Sequence, residues 1–223
     1  MLYEKPGQKK TFEPVPRKEH QAVCSMVIDL GKEFFEKYNK WNEKILIGFE
    51  LPNLIADYQN EDGTVTKKPR VLSRRFKREL YDGHGNKSEL HEFIVDWLGR
   101  DLKTNEEGFI KFDPKALIGL NGNIDVSHNV KGDKTYADIK NIRPLRDEQT
   151  KHAPEGQTVF QLCDVPEGEN PVDHFPATAQ EWIKKAFMKS QQALSFMGTQ
   201  KSAEQPPAAA ETGTQDMDDD FPF

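Results

Sequence analysis

Cysteine is almost absent from this 223-residue chain. Cys24 and Cys163 lie far apart, with no Cys-x-x-Cys and no Cys/His group at zinc spacing. A disulfide framework is therefore excluded and no structural metal is indicated; both thiols are expected to be reduced, Cys24 in a core. Long apolar runs are missing too, and Met1 to Lys10 has no signal-like apolar stretch, so the chain is expected to stay in the cytoplasm. There is no Gly-rich phosphate loop and no Ser/His/Asp or Cys/His grouping. The six histidines, at positions 20, 84, 91, 128, 152 and 174, are scattered. No enzyme activity, metal or cofactor is expected from these residues. What remains is a very polar chain, 35% hydrophobic and 30% charged, with a mean hydropathy of -0.79. Its length suffices for one well-buried domain with extensions.

The net charge of -6 is unevenly placed. Residues 200 to 223 hold one lysine and six acids, a net -5, which leaves -1 for residues 1 to 199. Within that near-neutral body, residues 67 to 78 carry Lys67, Lys68, Arg70, Arg74, Arg75, Lys77 and Arg78 without an acid. From Thr199 to Gln215 there is no large apolar side chain, so this stretch cannot bury enough surface to offset its ordering entropy and reads as a tether. It ends in Asp218, Asp219, Asp220, Phe221, Pro222 and Phe223. Two phenylalanines at the end of a disordered acidic segment point to a pocket on a partner that receives them.

Two strands are predicted first, Ala22 to Leu30 and Lys44 to Leu51, the second with Ile45, Ile47, Phe49 and Leu51 on one face. Between them, Phe34, Phe35, Tyr38 and Trp41 stand at helix-like spacing over residues 32 to 43. Residues 60 to 64 read as a turn. A third extended segment is expected from Arg70 to Leu80, although Leu72, Phe76 and Leu80 would also suit a basic amphipathic helix. Ser88 is placed to cap a helix from Glu89 to Leu98 that Gly99 ends, burying Leu90, Phe93, Ile94, Trp97 and Leu98. Ile124, Val126 and Val130, then Ala137 and Ile139, mark two strands joined at Lys131, Gly132 and Asp133. A short strand is expected within Val159 to Cys163. Thr178 and Glu181 form a capping box for a last helix running to about Met197, with Trp182, Ile183, Ala186, Phe187 and Leu194 along one side.

Three strands, a helix and two strands is the order of a five-stranded OB-fold Greek-key barrel. The expected organisation is an OB-fold domain over residues 1–145, an irregular extension with a C-terminal helix over 146–198, and a disordered linker with an acidic tip over 199–223. From Val23 to Leu145 the chain resembles phage-encoded single-stranded DNA-binding proteins. The resemblance rests on Val27-Ile28-Asp29-Leu30-Gly31, Phe49-Glu50-Leu51-Pro52, Trp97-Leu98-Gly99-Arg100, Leu117-Ile118-Gly119, Val126-Ser127-His128-Asn129, Gly132, Tyr136-Ala137 and Pro144-Leu145. The segment between Phe76 and Ser88 departs from that pattern, being longer and more basic. The tip is similar to the C-terminal tip of bacterial single-stranded DNA-binding proteins, with Phe221 as the apolar residue before Pro222. These resemblances imply a protein that coats single strands in replication and recombination inside a bacterial host cell. They also imply that it recruits partner proteins through Asp218 to Phe223; a homo-oligomer is compatible with this.

A sequence-tolerant binder of single strands needs cations along a groove and rings beside it. Arg70, Arg74, Arg75, Lys77 and Arg78 are expected to contact phosphates, with Lys134 and Lys140 extending the groove. Alternation puts Tyr136 on the polar face with both lysines. Phe76 suits either cation-π contact among the arginines or a core position. Trp41 and Tyr38, in the connection between the first two strands, either bind bases or anchor a helix. Two other readings stay open. Asp125, Asp138 and Lys140 have the Asp…Asp-x-Lys spacing of Mg²⁺-dependent nucleases, and an adaptor that acts only through its tip would need no nucleic acid.

Overall fold

The computed structural model describes residues 13–59, 63–108, 110 and 112–196. The acidic tip, the tether, Met197 and most of the expected turn at 60–64 lie outside those residues. The fold is mainly β. Its strands are β1 (Glu19–Phe35), β2 (Lys40–Gln59), β3 (Val65–Lys77), β4 (Asn121–Lys131), β5 (Lys134–Pro144) and β6 (Thr158–Phe160). Helix α1 (Glu89–Leu98) lies between β3 and β4, and α2 (Glu181–Phe187) and α3 (Gln191–Phe196) follow β6. The hydrogen-bonded order is β3-β2-β1-β4-β5, each pair antiparallel, with β6 added parallel to β1 at Met26–Ile28.

The apolar run of β1 is continuous because both of its faces are buried. Ala22, Cys24 and Val27 join a core with Ile45, Ile47, Phe49, Leu72 and Phe76, closed by Phe93 and Trp97 of α1. Met26, Ile28 and Leu30 join a second core with Leu46, Phe160, Ile183 and Phe187. A register shift between Cys24 and Met26 moves the even-numbered side chains from the first core to the second, and another follows between Asp29 and Gly31. Helix α1 forms as its signals predict: Ser88 Oγ accepts from His91 N, and Gly99 ends it in the left-handed conformation.

Two expectations are corrected. Residues 32 to 43 form no helix beyond one 3-10 turn at Glu36–Tyr38: Lys32 pairs with Glu43, and Phe34 with Trp41, in a β1–β2 hairpin that turns through Asn39 at φ 48°. The cross-strand Phe34–Trp41 contact, with centroids 5.3 Å apart, uses rings whose spacing also satisfied a helix. The last helix is broken. Its first part starts after Gln180, which gives no side-chain cap, and the expected Thr178–Glu181 capping box does not form, Thr178 Oγ1 lying 3.4 Å from Thr158 Oγ1; the chain then turns at Ser190, whose Oγ accepts from Ala193 N. A buried serine that bonds local backbone favours a new helix start over continuation.

Residues 146 to 196 share structure with the sheet. Glu50 accepts from Glu155 N at 2.7 Å and Gly156 N at 3.3 Å, while Asn123 and Gln149 exchange two side-chain hydrogen bonds of 2.7 and 2.9 Å. At Gly31, φ is 72° and an added Cβ would lie 2.6 Å from Gln192 Oε1 and 2.8 Å from Ser190 Cβ. Gly31→Ala is therefore expected to destabilise the protein by about 1–3 kcal/mol; equal urea midpoints for variant and parent would refute this packing. Cysteine reactivity gives another check. Burial pushes the Cys24 thiol up to about 12, whereas Cys163 is exposed. Under native conditions at neutral pH, iodoacetamide should label Cys163 alone by mass spectrometry of peptides, and equal labelling of Cys24 would contradict the buried first core.

Candidate nucleic-acid interface

Strand alternation divides the basic segment of β3 between two sides. Phe76 is fully buried, its ring 4.8 Å from that of Phe93, so it belongs to the core alternative of its two readings. Arg74 lies on the same side. Its guanidinium stands over Phe76 and Phe93, pairs with the Glu89 carboxylate and donates from Nη1 to the Lys140 carbonyl at 2.9 Å. Arg75 points the other way and stacks over Trp182 of α2, 5.5 Å from the ring centroid. Lys77 meets Glu79 at 3.5 Å. Arg78 turns toward Asp29 at 3.3 Å and Glu43 at 3.8 Å. Seven cations close in sequence thus do not make one stripe.

A smaller set shares one end of the sheet. Since every neighbouring pair is antiparallel, β3 and β5 run in the same direction, and the Arg74–Lys140 bond joins these two ends of the strand order. Following both strands from that bond toward their N-termini carries Lys68 and Arg70 of β3 toward Lys134 and Tyr136 of β5. Two ribbons flank this seam. One is the β2–β3 hairpin, where Ile55 pairs with Pro69 and Tyr58 with Thr66; the other is the β4–β5 hairpin, where Asn129 pairs with Tyr136 and Lys131 with Lys134. Register puts them at the same end of the sheet. Glu19, the first residue of β1, pairs with Asp125, and Val23 pairs with Glu50, so both ribbons extend past the start of β1.

Lys67, Lys68, Lys134 and Lys140 are exposed, and Arg70, Tyr58 and Tyr136 are half-buried. With Lys131, the two ribbons carry six cations; their strands and turns also carry five acids, Asp57, Glu61, Asp62, Asp133 and Asp138. Burial raises the Tyr58 phenol above its ordinary range, and the Arg70 guanidinium partly opposes that rise. Lys140 occupies the extra position where the β4–β5 register shifts, between Ile139 and Asn141, which leaves its carbonyl to Arg74 and its side chain in solvent. Tyr58 and Lys131 escaped the sequence reading. Their only signal is their place opposite Thr66 and Lys134, and pairing is invisible before register is known.

Trp41 is elsewhere. It lies on the β1–β2 hairpin at the other end of β1, 44% exposed and backed by Phe34, beside Tyr38, which is 64% exposed with Lys37 and Lys40 about 6 Å from its ring. The outer face of β1 and β2 cannot take a ligand, because the second core covers it. Asp125 of the nuclease spacing is paired with Arg143 at 3.0 Å and stands opposite Asn141, whereas Asp138 stands opposite Ser127. Among the described residues no three His, Cys, Asp or Glu side chains gather as a metal site, and no helix is long and apolar enough to cross a membrane. Compared with known protein families and with curated proteins, the chain matches no family model and none of the proteins.

Proposed function

We propose that this protein binds single-stranded DNA without sequence preference, along the seam between β3 and β5, and recruits replication or recombination proteins through Asp218 to Phe223. The observation that carries the reading is the placement of Lys67, Lys68, Arg70, Lys134, Tyr136 and Lys140 on two ribbons whose register puts them at the same end of the sheet, with Arg74 bonded to the Lys140 carbonyl. Phosphates would meet the ammonium and guanidinium groups, and a base would stack on the Tyr136 ring. The order of elements supports an OB-fold reading. The helix stands between the third and fourth strands, and Arg74 ties together the two strands that a five-stranded barrel would bring side by side. Coating of exposed strands in the cytoplasm of a bacterial host follows from the resemblances and the charge partition between body and tail.

Salt-titrated binding of fluorescent oligo(dT) tests this. If most of the six cations meet phosphates, log K should fall against log salt with a slope of roughly -3 to -4, about 0.7 per phosphate contact on a single strand. A protein that leaves oligo(dT) free at low salt is not a single-strand binder, and the tip-only adaptor would then take its place.

A further inference from the structure

Away from the seam, a cleft of about 290 Å³ opens where the end of β3 and the β1–β2 hairpin meet the segment after β6. Asp29 forms its floor, with its side chain only 2% exposed. Its Oδ1 accepts from Gly31 N at 2.9 Å. Its Oδ2 is buried, accepts no hydrogen bond from the described residues, and has Arg78 Nη1 3.3 Å away. That same Arg78 nitrogen is 3.8 Å from Glu43, so one guanidinium is shared between two carboxylates. Glu169 adds a third at the rim, and Leu162, Val165, Pro166 and Pro171 supply apolar walls.

We propose that this cleft binds an alkylammonium group, a cationic amine on an aliphatic stem. The acid floor supplies the partner for the charge, the walls suit a methylene chain, and the volume exceeds what a bare ion needs. The three carboxylates outnumber Arg78 and Lys32, the latter 3.6 Å from Glu43, and His174 Nε2 lies 2.6 Å from Glu169; this balance disfavours a phosphate or the chain's own acidic tip. The state of Asp29 agrees with under-compensation. Burial is the largest influence on its carboxyl and holds it above the ordinary range, against the opposing effects of Gly31 N, Arg78 and Leu162 N. The amine has two sources, a small aliphatic amine or a lysine on a partner protein. Neither depends on the seam.

The full-length protein, labelled with ¹⁵N, would be titrated with n-pentylammonium chloride and, separately, with the acetylated, amidated peptide Gly-Gly-Lys-Gly-Gly. Saturable shifts confined to the amides of Gly31, Gly168 and Gln192 are the expected result. Tighter binding of the peptide assigns the site to a partner's lysine, and tighter binding of the free amine to a small ligand. Asp29→Asn should weaken either probe about 10- to 100-fold, the range for a charge-assisted hydrogen bond. Because that change touches a buried group, Glu43→Gln and Glu169→Gln, at exposed positions, should each weaken binding several-fold with the spectrum otherwise kept. Shifts that stay linear in amine, that spread over the acidic surface, or that survive all three substitutions would overturn the proposal.

Discussion

Tyr136→Ala is expected to weaken oligo(dT) binding about 5- to 150-fold while leaving the salt slope unchanged. Stacking of one base on one ring contributes about 1–3 kcal/mol and involves no counterion, so the loss should persist at high salt. Tyr136→Phe keeps the ring and should restore most of the affinity. Lys134→Ala should behave in the opposite manner, lowering the slope by about 0.7 with a loss that fades as salt rises. Tyr136 is half-buried at a paired strand position beside exposed Lys134, so neither change removes a core side chain. If both variants fall by the same factor at every salt concentration, the two residues do not divide the work between base and phosphate. If neither changes, the strand does not lie along β5.

Phe187→Ala should destabilise the whole protein by about 3–5 kcal/mol, although Phe187 lies far outside the 1–145 segment. Its ring is fully buried, stacked on Phe175 at 4.6 Å and edge-on to Phe160 at 5.1 Å, directly over the β1 and β2 residues of the second core. A single cooperative urea transition, shifted in midpoint and followed equally by near-ultraviolet and far-ultraviolet circular dichroism, is the expected form of the result. Two transitions, with the sheet unfolding as in the parent, would mean that the extension folds as its own unit. For the same reason a chain ending at Leu145 should not fold stably, because Met26, Ile28, Leu30 and Leu46 would become solvent-exposed.

The division of the basic segment also bears on which arginines deserve mutation. Arg75→Ala should act on stability through its contact with Trp182, and Arg74→Ala through Glu89 and the Lys140 carbonyl. Loss of DNA affinity in either variant would therefore say little about phosphate contacts unless stability is measured alongside.

Much of the fold was legible in the sequence. Alternation located Lys44 to Leu51 and the hairpin at residues 131 to 133; the cap pair of Ser88 and Gly99 bounded α1, because these signals arise within a few residues of chain. The 32–43 segment misled, since aromatic residues three and four apart fit a helix but also fill a twisted hairpin once a partner strand is beside them. The charge pattern by itself groups Arg70, Arg74, Arg75, Lys77 and Arg78 as one stripe, which the alternation of β3 divides between two sides. Only tertiary structure decided what each side meets: Tyr58 near Arg70, the Lys140 carbonyl of β5 at Arg74, the aromatic core at Phe76, Trp182 at Arg75, Asp29 at Arg78. Side-chain period is a property of one strand, whereas its neighbours depend on register and on the second core, which are set by contacts between residues more than a hundred positions apart.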